Sequence, residues 1–324
     1  MEWNISKCVT MDRTLPLVVA ILVLQALWGF AFSTVLGPRT RATDNVVQND
    51  LNESKYCYSC VKIDNICYNH SYLFELPAPF SEDPVVKRMA IMKATNVLYY
   101  NFEPTLSDKE YSKVGFTSLN NTKLFGVIPG WQYNFGPFDI NQKEKKVYLG
   151  GSEGIWVVDD TRYVPRYFAA MLNFITNIFI KDFIYFTTSQ QKGILKYIDE
   201  YNIIKVVDKT IYNFVFDVGY NIVYLNDTGL FISFHSNNKE DVKLSNEGWI
   251  RGLTVDVNGA VYAWHEDGIY KVTVSNTHSE STLKRVTIIA PDAMTFDESN
   301  NILYTIGKKL YKLTKVATSK CFGR

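Results

Sequence analysis

The stretch FDVGYNIVYLNDTGLFIS, Phe216 to Ser233, decides the fold, because the chain keeps returning to it. It runs as an apolar residue, an aspartate, a polar turn, an apolar strand through a tyrosine, a second turn and another strand. The same order stands in FDINQKEKKVYLGGSEGIWVV from Phe138, VDVNGAVYAWHEDGIYKV from Val255 and FDESNNILYTIGKKLYKL from Phe296. The aspartates Asp139, Asp217, Asp256 and Asp297 lie 78, 39 and 41 residues apart, so the first gap holds two periods. NIFIKDFIYFTTSQQKGILKYI, from Asn177, fills it, with Ile178 in place of the aspartate. Tyr148, Tyr185, Tyr224, Tyr262 and Tyr304 keep the same period, and the second turns carry Gly154, Gly193, Gly229 and Gly268. A worn copy, AIMKATNVLYYNFEPTLSDKEYSKVGF from Ala90, precedes these five.

Each unit is a set of β-branched and aromatic runs broken by Gly, Asn and Asp, the pattern of a small antiparallel sheet. One such sheet cannot bury both faces alone, so repeats of this kind pack radially as blades. The sequence predicts an all-β, six-bladed β-propeller over residues 85–318, with a short tail at 319–324. The aspartate before each first turn reads as structural, bonding to turn amides. Composition agrees: 21 Tyr, 20 Phe and 6 Trp among 324 residues favour strands, and 47% hydrophobic content supplies a core. A formal net charge of +1 gives no electrostatic reason for a nucleic-acid or anionic-membrane partner.

Outside the repeat, residues 1–33 read as a secretory signal peptide. Leu15 to Phe32 carries no charge, follows Asp12 and Arg13, and ends near the small residues Ala31 and Ser33, with a cut expected after Ser33. An uncleaved anchor is the competing reading, since the stretch is nearly long enough to span a bilayer. The product is therefore expected to be secreted and free of the membrane once cleaved. Residues 34–84 read as a cysteine-containing N-terminal cap. Cys57, Cys60, Cys67 and Cys321 suggest two disulfides with three possible connectivities, Cys321 tying the C-terminus back to the cap. Cys57, Cys60, Cys67 and His70 also have zinc-knuckle spacing, but His70 lies inside a glycosylation sequon and Cys321 needs a partner. Sequons at Asn52, Asn69, Asn120 and Asn226 mark a glycoprotein.

The innermost strand of a propeller blade begins at the ligand face, so the residues just before the Phe-Asp element are the informative ones. Aligned, they give one polar column: Asn134, Asn173, Asn213, Arg251 and Asp292, with Lys87 and Arg88 in the corresponding part of blade one. Trp131, Tyr133, Tyr212 and Trp249 lie close by and are expected to wall the mouth. Aromatic walls with a few convergent polar groups are the usual make-up of a small-molecule site. Capped strand ends and channel waters are the plainer alternative.

Catalytic signatures fail. Gly150-Gly151-Ser152-Glu153-Gly154 matches G-x-S-x-G, but a nucleophile elbow needs a strand, turn and helix, and a strand follows here. His70, His235, His265 and His278 lack HExxH spacing, and no nucleophile–base pair can be named.

The Asn-before-strand and PDAMTFD elements resemble the senescence marker, gluconolactonase and paraoxonase group of six-bladed propellers. That resemblance implies a divalent metal, calcium, held by Asn134, Asn213 and Asp292 for lactone or ester hydrolysis. Lys87 and Arg88 stand where that group has a glutamate, and Arg251 adds a further cation, which is unfavourable beside a metal ion. The run YCYSCVKIDNICYNHSYLFELP followed by an aromatic-rich propeller resembles the insect ommochrome-binding proteins over about residues 55–322. This resemblance implies a secreted, non-enzymatic carrier in a haemolymph-like fluid, with no cofactor and with an ommochrome, a tryptophan-derived phenoxazinone pigment, as ligand. Flat rings stack on Trp and Tyr, Asn bonds carbonyls, and Arg251 can hold a carboxylate. The expected ligand set is Trp131, Tyr133, Asn134, Asn173, Asn213, Trp249, Arg251 and Asp292. A propeller whose outer face binds another protein is the third reading.

Overall fold

The structure is a computed structural model that describes residues 60–64, 66–108, 112–159, 162–235, 240–248, 250–275, 277 and 280–316. The expected signal peptide, the tail 319–324, and Asn52, Cys57, Trp249 and Cys321 lie outside the described residues. So do the side chains of Cys60 and Trp131.

Strands β1 (Cys60–Ile63) and β2 (Ile66–Glu75) come first and form a hairpin. Blade one follows with β3 (Val86–Met92), β4 (Val97–Phe102), β5 (Val114–Ser118) and β6 (Phe125–Val127). Blade two holds β7 (Phe138–Asn141), β8 (Lys146–Gly151), β9 (Gly154–Asp159) and β10 (Arg166–Ala169). Blade three holds β11 (Ile175–Ile180), β12 (Ile184–Thr188), β13 (Ile194–Asp199) and β14 (Asn202–Val207). In blade four stand β15 (Asn213–Phe216), β16 (Ile222–Asn226), β17 (Gly229–Ser233) and β18 (Val242–Ser245). Blade five contains β19 (Gly252–Val255), β20 (Val261–His265), β21 (Gly268–Thr273) and β22 (Thr282–Thr287). The last strands are β23 (Ala293–Phe296), β24 (Ile302–Ile306) and β25 (Lys309–Lys315).

Five of the six sheets are four-stranded meanders in chain order. The sixth runs β23, β24, β25, β2, β1, so its two outer strands come from the start of the described chain. These strands belong to the stretch 34–84 expected as a cysteine-containing cap. Its described strands are the outer edge of blade six. Innermost strands contact one another in the order β3, β7, β11, β15, β19, β23, and β23 meets β3 again, so the ring is closed. The apolar cores lie between neighbouring sheets, with Tyr99, Tyr100, Tyr304, Phe102 and Phe138 among the fully buried side chains.

The repeated residues have distinct physical reasons. At the second turns Gly193 and Gly229 have φ of +105° and +137°, and a Cβ there would lie 2.0 Å from the carbonyl oxygens of Val207 and Ser245. The edge strand folds back so closely that only glycine fits. Asp217, Asp256 and Asp297 do hold their turns: each Oδ1 accepts the amide four residues on, from Asn221, Ala260 and Asn301. Asp139 departs from this reading. It lies within β7 opposite Tyr148, and Asn141 holds the turn instead, its Oδ1 accepting the Glu144 amide.

Cys67 is disulfide-bonded. Its carbonyl accepts the Val316 N–H at 3.0 Å, so the last strand ends beside it. His70 donates to or accepts from the Tyr304 hydroxyl at 2.7 Å and stacks on Tyr311, which takes its ring out of any metal set with Cys67. Asn69 and Asn120 are exposed, whereas Asn226 is half-buried with its Oδ1 holding the Thr228 amide and hydroxyl.

Candidate functional site

Every blade begins its inner strand at the same end of the ring, and the polar column falls at that end. Its members behave differently. Asn134 is exposed in a left-handed turn at φ +47°. Asn173 spends its amide nitrogen on the carbonyls of Ala170 and Met171, clamping its own loop. Tyr133 lies before β7, across the ring from β19, and packs on Trp156 with ring centroids 3.9 Å apart.

Arg251 and Asp292 do meet. They precede the inner strands of adjacent blades, and Arg251 Nη1 lies 3.6 Å from Asp292 Oδ1. Asp292 is fixed: its Oδ2 accepts the Gly307 amide at 2.7 Å, and its carbonyl accepts Trp264 Nε1 at 2.9 Å. Gly252 makes room for that indole, since a Cβ there would lie 2.2 Å from the Trp264 ring. Arg251 keeps 30% of its side chain exposed against 12% for Asp292. A pair this loose and this wet contributes at most about 1 kcal/mol, so an incoming carboxylate can compete for the guanidinium.

Below this mouth the channel is crossed by a polar network that the alignment missed. Arg88, from β3, reaches two blades onward to β11. Its guanidinium donates to Asn177 Oδ1 at 2.6 Å and to the Ile178 carbonyl at 2.7 Å. Asn177 in turn donates to Asn213 Oδ1 at 2.8 Å, linking blades three and four. Asp139 Oδ1 accepts the Ile140 amide at 2.9 Å and its Oδ2 the Ile180 amide at 2.7 Å. Burial pushes the Asp139 carboxyl up and the Arg88 guanidinium down, and the attraction between the two charges opposes both shifts. Asn177 is the lone asparagine in the run ITNIFI, and that is the one sequence signal that points to it.

The three candidate metal ligands do not fit a divalent ion as they stand. Asn134 faces solvent, Asn213 Oδ1 already accepts from Asn177, and Asp292 Oδ2 already accepts from Gly307. Arg88 adds a half-buried cation one side chain away from Asn213, through Asn177. Ser152 of the G-x-S-x-G match sits in the hairpin between β8 and β9, its Oγ donating to the Tyr133 carbonyl at 3.2 Å. That is a hairpin turn and not an elbow.

The sequence matches no family model and no curated relative. Solved structures match it in fold. A gluconolactonase from Xanthomonas campestris gives a TM-score of 0.57 at 12% identity, covering 79% of this chain and 91% of its own. A Trichoderma reesei carbohydrate-active enzyme of family AA12 gives 0.56 at 7% identity, covering 80% and 98%. The WD40 β-propeller domain of Doa1 gives 0.50 at 11%, covering 78% and 99%. Identities this low carry the architecture and nothing finer. The chain is an all-β propeller of six blades, structurally akin to gluconolactonase-like and WD40 propellers.

Proposed function

We propose that this is a secreted, non-enzymatic carrier that takes a small aromatic carboxylate, an ommochrome-like pigment, at the mouth of the propeller channel. The observation that carries the reading is the partly exposed Arg251 side chain, its guanidinium held loosely at 3.6 Å from Asp292 on the neighbouring blade. Arg251 binds the ligand carboxylate, Asn213 lies deeper as a polar floor, and Tyr212, 55% exposed, offers a ring at the rim. Trp131 and Trp249 remain part of the proposed wall.

The likeness to a gluconolactonase fold favours a second reading, a divalent-metal-dependent lactone or ester hydrolase. The engaged oxygens of Asn213 and Asp292 weigh against that metal site, so the two readings make opposite forecasts. Titration with a phenoxazinone carboxylic acid, followed by visible absorbance, should saturate at one molecule per chain. Arg251→Ala should weaken it at least tenfold. Gluconolactone turnover that appears with calcium and vanishes with chelator, with no phenoxazinone binding, would replace the carrier by the hydrolase.

A further inference from the structure

We propose that the Arg251–Asp292 pair makes the mouth select aromatic 2-amino acids over simple aromatic carboxylates, with Asp292 as the residue that sets the preference. The inference rests on the carrier reading and narrows its ligand class. On blades two to six the polar column presents one guanidinium, Arg251, and one carboxylate, Asp292, and its other members are asparagines. The pair is neutral as a whole. A bare carboxylate that reaches Arg251 therefore gains a charge of opposite sign and meets one of its own beside it.

Asp292 is held against withdrawing from that encounter. Its Oδ2 accepts the Gly307 amide at 2.7 Å, its own amide donates to the Thr305 carbonyl at 2.8 Å, and its carbonyl accepts Trp264 Nε1 at 2.9 Å. Trp264, 3% exposed, holds the other partner as well, since its carbonyl accepts the Arg251 amide at 2.9 Å. One buried residue thus fixes the backbone beneath both members of the pair. With Oδ2 on the Gly307 amide, Oδ1 is the oxygen that lies 3.6 Å from Arg251 Nη1, so a group seated on the guanidinium comes to rest beside it. A 2-amino acid answers both charges. Its carboxylate takes the guanidinium, and its ammonium, on the adjoining carbon, donates to Oδ1. A carboxylate oxygen accepts more than one donor, so this contact adds to those that Asp292 already makes. The ion pair that the ligand parts is wide and partly exposed, so parting it costs little.

The test compares L-tryptophan with indole-3-propionate, which has the same ring, chain length and carboxylate but no ammonium, by calorimetric titration of the full chain. Tryptophan should bind about tenfold more tightly. Asp292→Asn keeps the shape and removes the charge, and should reverse the order, indole-3-propionate tightening several-fold while tryptophan weakens about tenfold. Arg251→Ala should abolish both. A merely structural role for Asp292 would move the two ligands together, so opposite shifts are the diagnostic result. The proposal is overturned by equal affinity of the two acids in wild-type protein, by shifts of one sign in Asp292→Asn, or by no binding of either acid. Phenoxazinone binding that needs Arg251, while the indole acids bind alike, would strike the selectivity and keep the carrier. A tryptophan preference without phenoxazinone binding would strike the pigment and keep the selectivity.

Discussion

Arg88 shows how one side chain can tie a ring together through its hole. Its two hydrogen bonds join blades that are not neighbours; if it is removed the Ile178 carbonyl loses this donor, and Asn177 Oδ1 keeps only the Ile178 amide. Arg88→Met keeps most of the length and none of the donors. It should cost roughly 3 kcal/mol in urea unfolding, because the Ile178 carbonyl loses a donor and the Asp139 charge loses its opposing cation. An unchanged midpoint would mean that water replaces the guanidinium without loss. The sequence exposes this network only in part. Arg88 and Asn213 fall near the polar column, but Asp139 mimics the turn aspartates because it also follows a phenylalanine. Its neighbours at the turn, Asn141 and Lys145, belong to a hairpin of different length, and hairpin length is what an alignment by motif cannot see. Asn173 draws the eye away from Asn177 for the same reason: both are asparagines four residues apart, and only the strand's pairing tells which one lies inside.

At the level of the element, β2 is the closure of the ring. It pairs with β25 from Tyr68↔Lys315 to Glu75↔Lys309, a match between residues more than two hundred positions apart. No local pattern encodes such a pairing, so the cysteine-rich stretch looks like a cap from the sequence, although its described strands are the edge of a blade. The clasp also contains a titratable contact. His70 bonds the Tyr304 hydroxyl, lies against the rings of Tyr304 and Tyr311, and burial holds its pKa below the usual 6.5. The folded chain therefore refuses a proton that the unfolded chain accepts below about pH 6.5, and stability falls as pH drops through that value toward the folded pKa. His70→Gln removes the titration. Melting temperatures taken between pH 7 and 5 should fall less steeply for the variant than for wild type, and parallel curves would assign the acid sensitivity elsewhere.

For the whole molecule, closure decides how the propeller comes apart. Second strands such as β4, β12 and β24 are buried on both faces, whereas β14, at the rim of blade three, is exposed along most of its length. Amide exchange should follow that gradient in every blade, slow within and fast at the rim. Blade six should break the rule, because β2 lies between β25 and the edge strand β1, shielding what would otherwise be an open margin. Loosening the clasp tests whether the ring acts as one unit. Tyr68 is 5% exposed and packs in the core that blade six shares with blades five and one, so Tyr68→Ala should cost about 3–5 kcal/mol. Deuterium uptake should then rise first in β2 and β25, and next in β3, which β23 touches where the ring closes. Equal acceleration in all six blades would instead show that the propeller unfolds in one cooperative step, with the clasp contributing only its share of the total stability.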